Sequence, residues 1–208
     1  MLKTGFVGLG AMGLPMARNL HRAGLLTAVW NRSAEKARAL AGETGCTACA
    51  APEELAELCD VMVLCISADE DVLEIVGAIA PVVSPGTIVI DCSTVSAATA
   101  RQAASILSEK GCGFLDCPVS GGTEGARQGT LSIMAGGAAE DLEKARPVLE
   151  AMGRSVVHMG PAGLGQAAKA TNQVMVAGIN QAVTEALAFG RSQGLPVDAL
   201  VAALSEGA

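Results

Sequence analysis

A chain of 208 residues, 50% hydrophobic and 17% charged, has the length for one full domain and part of a second, and a globular rather than disordered composition. A net charge of −7, no lysine/arginine cluster and an aromatic share of 2% without tyrosine argue against a nucleic-acid partner, which needs a basic patch or a base-stacking platform. Lys3 and the apolar run after it do not make a secretory leader, because three glycines and Pro15 spoil its helix, and no run reaches membrane-spanning length.

In chain order the segments alternate strand and helix, the pattern of a parallel sheet covered on both faces. Residues 2–7 predict a strand, 14–23 a helix, 25–30 a second strand, and Ser33 caps a helix to about residue 41. A short strand over 46–49 and a helix over 52–59 follow. Then comes 61–66, a continuous apolar run of the kind buried on both faces. Helix 69–79, strand 87–91, helix 96–110 and strand 113–117 continue the alternation, and 118–122 reads as a turn-rich loop. Strands over 130–135 and 155–158 flank a helix over 139–151. Past Gly160 the grammar changes to one long helix over 165–193, with Met175, Ile179, Ala182, Ala186 and Phe189 at helical spacing, then a helix starting at 197–204. The fold class expected is α/β, Rossmann-type and doubly wound with a mainly parallel sheet. Residues 1–162 form that domain and 163–208 begin an all-α domain. So apolar a helical pair wants further sequence or another subunit against it, making a homodimer or homotetramer through the long helix the expected assembly. The seven cysteines, odd in number and scattered, read as thiols of a reducing, cytoplasmic compartment. Cys46 and Cys49 form a CxxC with no second pair and no nearby histidine, so no metal site is expected.

Strand and helix meet at Gly8-Leu9-Gly10-Ala11-Met12-Gly13, which carries the G-x-G-x-x-G spacing. Gly8 allows the tight turn, Gly10 lets backbone approach a pyrophosphate, Gly13 lets the helix pack on the strand, and the helix start offers N–H groups to phosphate. At the end of the second strand, where a carboxylate would select NAD, the chain has Asn31-Arg32-Ser33. Arg32 offers charge-assisted bonds to a 2′-phosphate and its neighbours add neutral ones, so NADP is preferred and NAD is the second choice. Ile66-Ser67 and Ser93-Thr94 follow later strands. Their hydroxyls either bond the cofactor or cap the next helices. Asp71, early in the helix after Ile66-Ser67, joins the cofactor-binding set.

Two further stretches carry chemistry. Small residues at Ser120-Gly121-Gly122 leave backbone N–H groups accessible as a cradle for a carboxylate, or else form an ordinary glycine turn. In the long helix Asn172 and Gln173 share a face with Lys169, and a desolvated lysine is able to act as an acid at neutral pH, although a solvated helix lysine has the same spacing.

Together these stretches resemble the β-hydroxyacid dehydrogenase family. The resemblance runs through Gly8 to Gly13 with Met16-Ala17-Arg18-Asn19-Leu20, Asp91-Cys92-Ser93-Thr94, Asp116-Cys117-Pro118-Val119-Ser120-Gly121-Gly122 and the G-x-G-x-x-x-K helix at Gly163. It implies hydride transfer between a nicotinamide and a small carboxylate-bearing hydroxy acid or semialdehyde, of tartronate semialdehyde, glyoxylate or succinic semialdehyde type. Lys169 would be catalytic, Ser120, Gly121, Gly122 and Asn172 would hold the substrate, and Thr94 would meet the cofactor. Asn31-Arg32 is similar to the NADP-using reductase branch. NAD-dependent 3-hydroxyisobutyrate oxidation is the alternative within the family. A non-catalytic nucleotide-binding fragment is the alternative outside it, because members continue through several more helices. Members also show proline where Ser67 stands, and many have a second asparagine where Gln173 stands.

Overall fold

The protein is described here by a computed structural model that covers residues 2–205. Its elements are β1 (Thr4–Val7), α1 (Gly13–Arg22), β2 (Leu26–Trp30), α2 (Ala34–Thr44), β3 (Thr47–Ala48), α3 (Pro52–Leu58), β4 (Val61–Leu64), α4 (Asp69–Ile79), β5 (Ile88–Asp91), α5 (Ala97–Ser108) and β6 (Gly113–Asp116). They continue as β7 (Val119–Ser120), α6 (Gly122–Gln128), β8 (Leu131–Gly136), α7 (Ala139–Glu150), β9 (Gly153–Gly160), α8 (Leu164–Ser192) and α9 (Val197–Ser205).

Strand periodicity of two sorts the apolar residues into two cores. In β4, Val61 and Val63 join Phe6, Met16, Leu20, Leu40 and Leu149 on the side of α1, α2 and α7, whereas Met62 and Leu64 join Leu55, Val76, Ala103 and Leu107 on the side of α3, α4 and α5. Both faces are therefore dry, and the unbroken Val61–Leu64 run has its explanation there. The sheet order is β3-β2-β1-β4-β5-β6-β8-β7, with β9 beside β8. Pairings from β3 to β6 are parallel, while β8 runs antiparallel to β6 and β7. This is the doubly wound, mainly parallel architecture expected, followed by the long helix. The strand order reverses between β1 and β4, so their carboxyl ends open the crevice where such sheets take ligands.

Two elements depart from expectation. Residues 118–122 are not only loop: β7 pairs with β8 through Val119 and Ser120, and α6 starts at Gly122. Gly-Thr-Glu-Gly-Ala-Arg-Gln is too short and too glycine-rich to show an apolar period, so the helix leaves no trace in sequence. Ser33 sits at the N-cap position of α2 but makes no cap bond there.

The described residues divide into two compact units, one reaching to Lys169 and one from Ala170 onward. In the second, the Leu195 N–H closes the end of α8 on the Gly190 carbonyl (3.1 Å), and Leu200 of α9 lies beside Gly190. Val174, Met175, Ile179, Val183 and Phe189 are exposed on that unit. No helix of the described residues is long and apolar enough to cross a membrane.

Candidate active site

The three fingerprint glycines answer to three different constraints. Gly8 has φ +94° and a side chain there would run into the Cys65 carbonyl, so the turn out of β1 admits only glycine. A Cβ on Gly13 would overlap the Gly8 carbonyl oxygen, which keeps α1 tight against the strand. Gly10 is the informative one: a Cβ there meets no described atom within 4 Å. Folding does not need that glycine, whereas a pyrophosphate resting on the backbone does. The cradle fits a dinucleotide.

One concavity at this turn is lined by Gly8, Gly10, Asn31, Arg32, Ser33 and Asp71, together with Trp30, Lys36 and Glu74. Asn31 is a strut in it. Its Oδ1 accepts the Leu9 N–H (2.7 Å) and its Nδ2 donates to the Ser33 carbonyl (3.0 Å), tying the glycine turn to the start of α2. Arg32 is an exposed cation on this wall, its side chain 88% exposed and its guanidinium in a 3.7 Å ion pair with Asp71 Oδ1. Lys36, one helical turn after Arg32, lines the same concavity and adds a second positive charge that sequence reading missed. Its i+4 spacing was the available signal. Leu9 is buried, and Ala11, next to Gly10 in the turn, is exposed.

A second concavity shares the wall Cys65, Ile66 and Ser67 with the first and adds Met12, Thr94, Ser120, Gly121, Gly122 and Lys169. The half-buried Lys169 donates from Nζ to the Val119 carbonyl (2.9 Å), which leaves two of its N–H groups for a ligand in the hollow. Gly121 and Gly122 take φ +130° and +62°, so their side-chain-free backbone faces the same hollow. Capping does not account for the hydroxyls: Ala68 begins α4 without a side-chain cap, and α5 is capped by Ser96 through the Thr99 N–H. Ser93 Oγ instead accepts the Ile66 N–H (3.0 Å) and binds the two loops together. Asn172 belongs to the second unit, where it donates to Gln173 (3.3 Å).

Under these loops lie two buried carboxylates that pair in register, Asp91 on β5 and Asp116 on β6. Asp116 caps α8, accepting the Gly163 N–H on Oδ1 (2.7 Å) and the Gln166 N–H on Oδ2 (2.8 Å), where the helix dipole favours its charge. Burial pushes its pKa up and those N–H bonds oppose the shift. Asp91 accepts the Ser93 N–H on Oδ1 (2.9 Å), while Oδ2 finds no partner among the described residues. Burial pushes Asp91 up to about 6, against the pull of the Ser93 bonds and with help from the Asp116 charge. Between its ordinary 3.8 and about 6, the folded protein holds a proton that the unfolded chain has released, so stability falls as pH rises through that window. Asp91→Asn removes the charge and keeps the Ser93 acceptor. It gains on the order of 1 kcal/mol over the parent at pH 7.5 and nothing at pH 4, as urea unfolding at the two pH values will report; an equal gain at both would exclude the titration.

Five of the seven cysteines are buried and all seven are free. Burial raises Cys49 to about 11 and Cys65 to about 12, so neither is a ready thiolate.

The chain is similar to known proteins in sequence and fold. The family model described as the NAD binding domain of 6-phosphogluconate dehydrogenase matches residues 3–160, and that described as NAD-binding of NADP-dependent 3-hydroxyisobutyrate dehydrogenase matches 163–208. The NAD-dependent L-serine dehydrogenase of Pseudomonas aeruginosa is 41% identical over 204 residues, 96% of this chain and 68% of that protein. The 3-hydroxyisobutyrate dehydrogenase of the same organism is 39% identical, over 94% of this chain and 66% of its own length. Among solved structures, Mycobacterium tuberculosis 3-hydroxyisobutyrate dehydrogenase with L-serine superposes with a TM-score of 0.93 at 34% identity, covering all of this chain and 71% of that one.

Proposed function

Because this chain belongs to the β-hydroxyacid dehydrogenase family, we propose that its crevice moves a hydride between NADP(H) and a small hydroxy acid/semialdehyde pair of the tartronate semialdehyde, glyoxylate or succinic semialdehyde type. The observation that carries the reading is Lys169 Nζ, held 2.9 Å from the Val119 carbonyl in a hollow walled by Thr94 and Ser120 to Gly122. A bound reduced nicotinamide supplies the hydride. Gly121 and Gly122 receive the substrate carboxylate on backbone N–H groups, which leaves its carbonyl oxygen toward Nζ. Lys169 protonates that oxygen as the carbon is reduced, and in oxidation the neutral amine takes the hydroxyl proton. Asn172 is the residue proposed to orient the substrate. Asn31 shapes the glycine turn, and Arg32 with Ser33 and Lys36 receives the adenosine 2′-phosphate. Residues 1–162 are the proposed cofactor domain and 163–208 the start of the substrate and assembly domain.

Steady-state oxidation of NADPH and NADH against the three aldehydes and methylmalonate semialdehyde tests this; no turnover with any pair, on a protein that binds neither dinucleotide, rejects it. A second reading, oxidation of 3-hydroxyisobutyrate or L-serine with NAD, draws support from the names of the two Pseudomonas relatives, and the same assay run in reverse separates it. Cofactor choice has its own test. Arg32→Asp lowers kcat/KM for NADPH by roughly 10- to 100-fold, the value of a charge-assisted bond, and leaves NADH little changed; an unaltered ratio contradicts the NADP assignment. The exposed Val174, Met175, Ile179, Val183 and Phe189 support a homo-oligomer built on the long helix, which sedimentation measures directly. The free thiols suit a cytoplasmic setting.

A further inference from the structure

Gln166 is 2% exposed, and long amide side chains are seldom so buried unless every polar atom is engaged. Here both are. Its Nε2 donates to the Ser93 carbonyl (2.8 Å) and its Oε1 accepts the Val95 N–H (3.2 Å), so one amide grips the backbone on either side of Thr94. The backbone of Gln166 donates in turn to Asp116 Oδ2 (2.8 Å), at the first turn of α8. Lys169 lies three residues on, over the same helix face. Ser93 carries the linkage further, since its Oγ accepts the Ile66 N–H and Ile66 lines both concavities. A leucine would fill similar volume without the cost of burying an amide, but it would leave the Ser93 carbonyl and Val95 N–H without these bonds.

We infer that Gln166 is a positioning residue that ties the Thr94 loop of the dinucleotide crevice to the helix turn carrying Lys169, so that dinucleotide binding and the placement of the lysine amine are coupled through one buried amide. The inference rests on the reading above, that this crevice takes a dinucleotide and Lys169 moves the proton. The coupling is energetic and reciprocal: whatever orders the loop also steadies the helix start.

Two substitutions test it on the full chain. Gln166→Leu removes both bonds. Gln166→Glu keeps the acceptor for Val95, but its carboxylate sets an oxygen against the Ser93 carbonyl, and only the protonated acid restores a donor there. Three readouts apply: the NADPH dissociation constant from the fluorescence of Trp30, the sole tryptophan and a residue of the crevice wall, kcat with KM, and amide exchange at Val95. Gln166→Leu raises the dissociation constant roughly tenfold, lowers kcat by a similar factor and speeds Val95 exchange, each corresponding to about one lost hydrogen bond. Gln166→Glu shows the same deficit at pH 8 and recovers toward the parent as pH falls to 5.5. A folded Gln166→Leu with the parent's affinity and exchange overturns the tie, as does a Gln166→Glu deficit independent of pH, which also decides the matter if the leucine variant does not fold. Failure of the parent to bind NADPH or NADH overturns the dinucleotide reading instead, and Val95 exchange in the unliganded variants still judges the tie.

Discussion

Lys169→Ala lowers kcat by about 10²- to 10⁴-fold, the range for loss of a general acid, with dinucleotide affinity unchanged. The separation of the two effects follows from where the side chain sits. Nζ donates to Val119, on the wall of the second concavity, and the residues of the adenosine end lie on other elements. Removing the amine costs little stability, because the Val119 carbonyl it leaves borders an open hollow where water can replace the bond. Single-turnover hydride transfer at saturating cofactor gives the comparison. Undiminished transfer in the variant would take the lysine out of the mechanism, whereas a parallel fall in affinity would make it a binding group rather than an acid.

The second large effect contrasts two glycines of one motif. Gly10→Val folds with an unshifted melting temperature and loses dinucleotide affinity by roughly tenfold or more, equivalent to at least about 1.4 kcal/mol. Its side chain would enter space that no described atom occupies. Gly13→Ala does the reverse, because its methyl group meets the Gly8 carbonyl. It destabilises the fold by about 1–3 kcal/mol, the usual cost of overpacking, and any loss of binding follows from that. Thermal melts paired with Trp30 titrations distinguish them. A melting temperature that falls equally in both variants would mean that Gly10 serves packing after all.

Most of the architecture was legible from two periodicities. Alternation of short β-rich runs with helical stretches gave the doubly wound order, and the apolar run after Asp60 gave a strand buried on both faces. The unanticipated pieces were those whose cause is tertiary. The two residues of β7 exist because β8 passes beside them, and α6 has no apolar stripe to announce it. The site divides similarly. Spacing marked the glycine turn and a place at the end of a strand marked Arg32, whereas Lys169 stood out only through the family resemblance, its spacing alone being that of a solvated helix lysine. The engagement of Asn31 with Leu9 and Ser33, and the grip of Gln166 on residues 71 and 73 positions earlier, depend on which backbone groups the fold brings alongside. Asp91 reads as a polar residue at a strand end; only its burial beside Asp116 raises it to about 6.

The capping of α8 has a consequence for the order in which the molecule assembles. Asp116 accepts from Gly163 and Gln166 across 47 and 50 residues of chain, so this first turn lacks its acceptors until β6 has been laid into the sheet. Closing so long a loop costs entropy before any contact repays it. The turn that leads to Lys169 accordingly gains its cap only once β6 is in place. During synthesis Gly8 and the Trp30 and Cys65 backbone it rests against emerge before Asp116 and Gly163, so the proposed cofactor cradle has all its parts before the proposed acid has its support.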